Sequence, residues 1–302
     1  MAASPGMASG PMLPYLWRLS GDKVHGLNEE ECLMAYTVAI AGLGAIGLRV
    51  ARAIDAGEVQ DMTLTAVSAR DLASARTRVA DLKKPPQVVP LAELANHADI
   101  VVECVPAAAF RDVAEPTIAA GKWLMPLSVA GLLSHMDLVD KARASGGRIL
   151  VPTGALIGLD TVRAMAVGKI HEVRLETRKP PAGLAGAPHL VENNISLDGL
   201  KEPLCVFRGT ARQAAKAFPA NVNVAAALGL AGVGPDKTMV EVWADPGVDR
   251  NNQSVTISSD AGDATMKIAN VPSPDNPRTG RIVANSVIAT LKRFTDPLVV
   301  GS

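Results

Sequence analysis

The sequence predicts an α/β chain: a Rossmann-like, doubly wound parallel sheet followed by a mixed α+β substrate domain. Three observations carry that expectation. Short apolar runs alternate with segments of helical spacing from residue 38 to residue 151. The first run enters a glycine-rich turn. After about residue 156 strand-like segments dominate, with fewer helices between them. Strict β-α alternation reads as a parallel sheet with helices on both faces, and the later texture reads as a mixed sheet.

The elements follow in order. Val38-Ala-Ile-Ala41 is β-branched and apolar and reads as a buried strand. It runs into Gly42-Leu-Gly-Ala-Ile-Gly47, and helical spacing continues over 46–56. This is G-x-G-x-x-G in its strand–turn–helix context, the dinucleotide-binding fingerprint. Gly42 permits the tight turn, Gly44 lets backbone approach a pyrophosphate, and Gly47 lets the helix pack closely on the strand. A pyrophosphate would then lie over Gly44, Ala45 and Ile46, at free helix N–H groups. The same spacing also occurs in tight turns that hold no ligand.

A strand at 62–67 ends at Ser68-Ala-Arg-Asp71 and leads to a helix at 72–80. Val88 and Val89 precede a small helix at 91–96. A strand at 99–103 ends at Glu103-Cys-Val-Pro106, with a helix at 107–120. A strand at 123–127 ends at Ser128, a helix spans 132–144, and a strand covers 148–151. Ligand groups in such sheets gather at the carboxyl ends of the strands. These ends place Ser68, Arg70, Val105, Pro106, Ser128, Ala130, Thr153 and Gly154 among the cofactor-binding candidates.

The second region reads as strands at 171–177, 204–208, 238–244, 252–258 and 265–268, with helices at 209–217 and 221–231. An amphipathic helix at about 280–293 is expected to return to the first domain. The expected division is a dinucleotide-binding domain at 34–155, a substrate and dimerisation domain at 156–276, and the returning C-terminal segment at 277–302. Residues 1–33 are rich in Gly, Pro and small side chains and lack a basic stretch followed by an apolar core. They are expected to be a disordered, tag-like extension rather than a secretory signal. Met34 is the expected original start.

Composition excludes several classes. The 302 residues suffice for two domains. Hydrophobic residues make up 48% and aromatics only 3%, so the core must be aliphatic. Lys+Arg and Asp+Glu are each 30, which argues against a nucleic-acid partner bound through phosphate neutralisation and against a polybasic membrane patch. No apolar run approaches the ~18 residues of a membrane span. Cys32, Cys104 and Cys205 are scattered, so no metal site or disulfide framework is expected and reduced, cytoplasmic thiols fit best. Cys104 reads as a small buried hydrophobe or, less simply, as a catalytic thiol.

Cofactor choice turns on the end of the second strand. An acidic side chain there would hold the ribose 2′-OH of NAD. The chain instead reads Val67-Ser-Ala-Arg70, and Asp71 is free to cap the next helix. Ser68 and Arg70 can hold a 2′-phosphate, so NADP is the expected cofactor, with NAD possible; Arg70 as a solvated surface residue is the alternative.

From Val38 onward the chain resembles the L-aspartate dehydrogenase family. The resemblance rests on Gly42–Gly47, Pro152-Thr-Gly-Ala-Leu-Ile-Gly-Leu-Asp160, Thr177-Arg-Lys-Pro-Pro181, Phe218-Pro-Ala-Asn-Val-Asn-Val224, Ala244-Asp-Pro246 and Asn270-Val-Pro-Ser-Pro-Asp-Asn-Pro-Arg-Thr279. It implies a Rossmann domain with a mixed-sheet domain, commonly a homodimer. It also implies reversible nicotinamide-dependent oxidation of L-aspartate to iminosuccinate, which hydrolyses to oxaloacetate and ammonia. One departure matters. Members of the family carry Asn-x-His after Ala-Asp-Pro, and that His is the proposed acid/base. Here Asn251-Asn-Gln253 puts Gln253 at the His position. None of His25, His97, His135, His171 and His189 lies nearby in sequence, although the loop carrying His189 has a route to the cleft.

Glutamine donates and accepts hydrogen bonds but does not titrate. Its presence should hinder imine assembly from ketone and ammonia, which needs proton transfers, more than hydride addition to a preformed iminium. The remaining catalytic candidates each have a plainer alternative. Asn221 and Asn223 open a helix and can bind a carboxylate or the nicotinamide amide, or Asn221 simply caps. Lys179 is a substrate-facing cation or a surface lysine. Asp245 faces the cleft or caps a turn. The functional expectation is an NAD(P)-dependent oxidoreductase of the aspartate dehydrogenase type acting on a small-molecule amino acid or imine. An NADP-dependent carbonyl or semialdehyde reductase on the same fold, or a catalytically silent NADP-binding regulator, is the alternative that Gln253 favours.

Overall fold

Six parallel strands form the first sheet: β1 (Tyr36–Ala41), β2 (Met62–Ser68), β3 (Gln87–Val88), β4 (Ile100–Glu103), β5 (Trp123–Pro126) and β6 (Arg148–Ile149). Their order is β3-β2-β1-β4-β5-β6. The computed structural model describes residues 35–218, 222–274, 276 and 279–301. The expectations for residues 1–33, and those for Cys32 and Asn221, lie outside the described residues.

The sheet is parallel because its strands are apolar on both faces. Val38 to Ala41 and Ile100 to Val102 are wholly buried. Such strands need helices on both sides, and the crossovers supply them. They are α1 (Ala45–Asp55), α2 (Leu72–Val79), a 3-10 helix at Leu91–Asn96, α3 (Phe110–Ala119), α4 (Val129–Leu133) and α5 (Asp137–Ser145). The single helix expected at 132–144 is therefore two. His135 N–H bonds to Leu132 O and Ser134 N–H to Gly131 O, which closes α4 before α5 begins. A 3-10 turn at Ala107–Ala109 likewise precedes α3.

The second sheet is mixed, in the order β11-β10-β7-β9-β8. Its strands are β7 (Ile170–Lys179), β8 (Leu204–Thr210), β9 (Met239–Ala244), β10 (Asn252–Ser259) and β11 (Gly262–Ala269). β7 and β9 are parallel and the other pairs antiparallel. Period-2 alternation puts Val173, Leu175, Val240, Val242, Val255 and Ile257 on one face. They form a core with α8 (Ala211–Ala217) and α9 (Asn223–Ala231). Two short helices, α6 (Leu159–Met165) and α7 (Pro188–Glu192), are too brief to show helical periodicity.

The last helix, α10 (Arg281–Lys292), packs against α1. Val287, Ile288 and Leu291 join the core of Val38, Ile40, Val50 and Ile54. Burying each is worth about 1.5–3 kcal/mol. No helix among the described residues is long and apolar enough to cross a membrane.

Candidate active site

The crevice follows from strand order. β1 and β4 are neighbours from which the sheet winds outward in opposite directions, so the segments leaving their carboxyl ends diverge. A cavity of about 1040 Å³ opens there. One wall carries Gly42, Gly44 and Ile46, then Val105 and Pro106 after β4, Ser128 after β5, and Thr153 and Gly154 after β6. The other wall carries Asn223 of α9 with Lys179, Asn251, Gln253 and Asn270 from one end of the mixed sheet.

The three loop glycines differ in what a side chain at each would meet. Gly42 has φ +94°, and a Cβ there would lie 2.5 Å from Cys104 O. A Cβ on Gly47 would lie 2.0 Å from Gly42 O, so Gly47 serves helix–strand packing. A Cβ on Gly44 meets nothing within 4 Å, and Gly44 lines the cavity. Gly44 is also the N-cap of α1, with no side-chain cap and no acidic residue in the first turn. The helix N-terminus is left to an external anion. These features fit the pyrophosphate of a dinucleotide. Of 45–47 only Ile46 lines the cavity; Ala45 does not, and Gly47 faces Gly42 O and Ile40 instead.

The rim beyond β2 departs from expectation. Ser68 is wholly buried and absent from the cavity. It is the last residue of a strand covered on both faces, so either side of the pleat points into protein, and its Oγ has no hydrogen-bond partner among the described residues. Arg70 is exposed and lines the cavity. Asp71 Oδ1 accepts from Ala73 and Ser74 N–H at 2.9 and 3.2 Å, so it caps α2. Sequence reasoning missed Arg78. Its Nη1 donates to Leu43 O at 2.8 Å, bringing a second guanidinium to the glycine loop. The i,i+4 spacing of Ser74 and Arg78, both on the cavity wall, was the available signal.

The strand ends are pinned from behind. Ser128 Oγ donates to Val105 O at 2.6 Å, and Gly154 N–H donates to Ser286 Oγ of α10 at 3.1 Å. Ala130 N–H donates to Asn223 Oδ1 at 3.1 Å. Ala130 thus anchors α9 from outside the cavity and is not part of its wall.

The opposite wall is the polar end of an otherwise apolar sheet face. Gln253 on β10 pairs with Thr177 on β7, and Lys179 lies two residues further along the same face. Gln253 is 6% exposed, and its Oε1 and Thr177 Oγ1 have no hydrogen-bond partner among the described residues. Asn270 Oδ1 also has none, while its Nδ2 donates to Ala155 O at 3.2 Å. Lys179 is 4% exposed, and burial pushes its amine down to about 8. It is therefore not a surface lysine. Asn251 and Asn270, joined by a backbone bond of 2.9 Å, carried no individual sequence signal. Asn276 and Thr279 also reach the cavity.

Two candidates lie away from the cavity. Asp245 Oδ2 accepts from Arg178 Nη1 at 3.0 Å and Oδ1 from Gly247 N–H at 2.8 Å. It stabilises the turn after β9 and does not reach the cavity. His189 packs on Phe207 and Phe218 with Nε2 at 3.1 Å from Val206 O, also away from the cavity. Cys104 lines the cavity floor, and burial holds its thiol well above the usual range, so it is not a poised nucleophile.

A glycine loop at the switch point of a parallel sheet, facing a second wall of amide and amine groups, defines a dinucleotide-binding oxidoreductase. Residues 42–152 match the family described as homoserine dehydrogenase, NAD binding domain, and residues 160–294 match aspartate dehydrogenase, C-terminal. L-aspartate dehydrogenase of Bradyrhizobium diazoefficiens is 54% identical over 276 residues, covering 91% of this chain and 98% of that protein. L-aspartate dehydrogenase of Methanocella arvoryzae is 41% identical, covering 88% of this chain and 100% of that one. The crystal structure of aspartate dehydrogenase from Thermotoga maritima matches with a TM-score of 0.67 at 26% identity, over 88% and 99% of the two chains. The chain belongs to the aspartate dehydrogenase family and is an oxidoreductase of that type.

Proposed function

We propose that the protein oxidises L-aspartate reversibly at its CH–NH2 carbon. The amino acid loses a hydride from Cα and a proton from nitrogen to give iminosuccinate, which water converts to oxaloacetate and ammonia. The observation that carries this reading is the meeting of Lys179, Gln253 and Asn270 with the glycine loop in one cavity. A bound nicotinamide supplies or takes the hydride. The chain's own groups do the rest. Lys179, with its amine pushed to about 8, exists in both forms near neutrality. As the amine it accepts the substrate's ammonium proton; as the cation it pairs with a carboxylate. The Gln253 and Asn270 carbonyls suit an N–H donor such as an ammonium or iminium group. Asn223 retains its Nδ2 donor for a carboxylate or carboxamide.

Gln253 also sets the first expected result. Gln253→His adds a titrating group where family members carry His. It should raise amination of oxaloacetate by about 10-fold or more, with little effect on reduction of a preformed imine. Steady-state rates on the two substrates check this. Equal rates for wild type and variant in aspartate oxidation would sink the role given to Gln253. The alternative reading, a carbonyl or semialdehyde reductase, is favoured by the same non-titrating residue. NADPH consumption with small aldehydes and none with oxaloacetate plus ammonia would establish it; inertness towards all of these, with cofactor still bound, would indicate a silent regulator.

NADP is the proposed cofactor. Arg70 and Arg78 supply two guanidinium groups at the rim where the 2′-phosphate would lie, taking the place given above to Ser68. Arg70→Ala should lower kcat/KM for NADPH by about 10-fold and leave NADH nearly unchanged. A wild type that already favours NADH overturns this choice. The proposed homodimer would use the outer face of the mixed sheet, which no described element covers and where Met239 is exposed beside Arg174, Glu176 and Arg178. Light scattering tests it. The unpaired Cys104 and Cys205 support a reducing, cytoplasmic setting.

A further inference from the structure

Glu103 is the last residue of β4 and is wholly buried, yet nothing in the reaction outlined above uses it. Its two oxygens are divided between two segments of the cavity wall. Oε1 accepts from Val105 N–H at 2.8 Å and Oε2 from Ser128 N–H at 3.0 Å. Both partners line the cavity. Two acceptor oxygens facing two N–H donors suit a carboxylate, since a protonated acid would present a donor to one of them. β4 stands between β1, which carries the glycine loop, and β5, which carries Ser128. A dinucleotide with its pyrophosphate on that loop would lay its other half across these strand ends, towards Lys179 and Gln253.

We propose that Glu103 is a buried counter-charge for the nicotinamide, favouring the cationic, oxidised ring over the neutral, reduced one. The inference rests on the dinucleotide reading of the cavity and not on the identity of the substrate. A charge shielded from water acts over a longer range than a surface charge, and among the described residues no cation is hydrogen-bonded to this one. The groups packed around it are mostly neutral. β1 presents Ala41 and β5 presents Pro126 at the paired positions, and the 3-10 turn that follows presents alanines. Cys104 is the titratable neighbour, and the Glu103 charge helps hold its thiol up. Lys179 faces the same cavity, and burial is the cause of its downward shift. Burial raises the Glu103 carboxyl to about 7, so its charge changes near neutrality. Glu103 acts through space and through the two loops, as a positioning residue.

The test is the ratio of dissociation constants for NADP+ and NADPH, measured by calorimetry on either side of neutrality. The ratio cancels the titration of the 2′-phosphate, which both forms share. In the wild type NADP+ should gain on NADPH by about 10-fold as the pH rises through the Glu103 transition. Glu103→Gln should remove the step at the Glu103 transition and hold the ratio there at the value the wild type shows in acid. A pH-independent wild-type ratio, or an unchanged ratio in folded Glu103→Gln, overturns the proposal. Loss of the Lys179 proton would shift the ratio in the same direction. Lys179→Met therefore decides the matter if Glu103→Gln does not fold: the pH dependence survives there if Glu103 is its source and disappears if Lys179 is. Binding of neither cofactor form would overturn the dinucleotide reading and this proposal together. Normal cofactor binding with inert L-aspartate would overturn only the substrate reading.

Discussion

Gly44→Val should leave the protein folded and unable to bind dinucleotide. The backbone at Gly44 has φ −71°, ordinary for any L residue, and a Cβ there meets nothing within 4 Å. The new side chain enters only the space at the N-terminus of α1, where the pyrophosphate would lie. Binding should weaken by two orders of magnitude or more, about 3 kcal/mol. Calorimetry with NADP+ and NADPH reads the loss, and a thermal melt close to wild type shows that the fold survived. Gly47→Val is the contrasting case. Its Cβ would lie 2.0 Å from Gly42 O, so backbone must move and the melt should fall sharply. Unchanged cofactor affinity in folded Gly44→Val would refute the placement of the pyrophosphate.

Lys179→Met should lower kcat for L-aspartate oxidation by about 10²–10⁴-fold while stabilising the protein at neutral pH. The substitution keeps the apolar stem and removes the buried amine. The wild-type amine is depressed from 10.5 to about 8 by burial. Below about 8 it is protonated in both folded and unfolded states, and only the folded state bears the cost of a buried charge. That cost is on the order of 3 kcal/mol and is relieved as the pH rises from the folded value towards the unfolded one. Urea midpoints for the wild type should therefore climb across that alkaline window, on top of other titrations, and the Met variant should lack this increment. The wild-type oxidation rate should rise on an alkaline limb near the same value as the neutral amine forms. A Met variant with wild-type kcat would remove Lys179 from the chemistry, whatever its stability.

Gly42, Gly44 and Gly47 were legible in the sequence because their constraints are local. A tight turn, a close approach and a helix start all fall within one strand–turn–helix unit. The parallel sheet was legible because Val38–Ala41 and Ile100–Val102 are apolar on both faces, and only a sheet sandwiched by helices buries such strands. Gln253 was legible as a departure inside a recognisable segment. Register and distance in the chain concealed the rest. Ser68 and Arg70 stand two residues apart, yet one points into a covered sheet and the other into solvent. Asp245 reads as a cleft acid until Arg178, 67 residues away, is seen to hold it in a turn. Asn270 and Ala155, 115 residues apart, meet at the cavity, and Gly154 is pinned by Ser286 from 132 residues away. Lys179 and Glu103 show the same division. Residue type made each ionisable, but only burial within the assembled fold moved them towards neutrality, because desolvation depends on what packs around a group and not on its neighbours in sequence. Thus the sequence alone determined the strand–turn–helix unit and the fold class, through local backbone sterics and the apolar pattern. The tertiary structure decided which polar groups share the cavity and in what protonation state, because those depend on contacts between segments far apart in the chain.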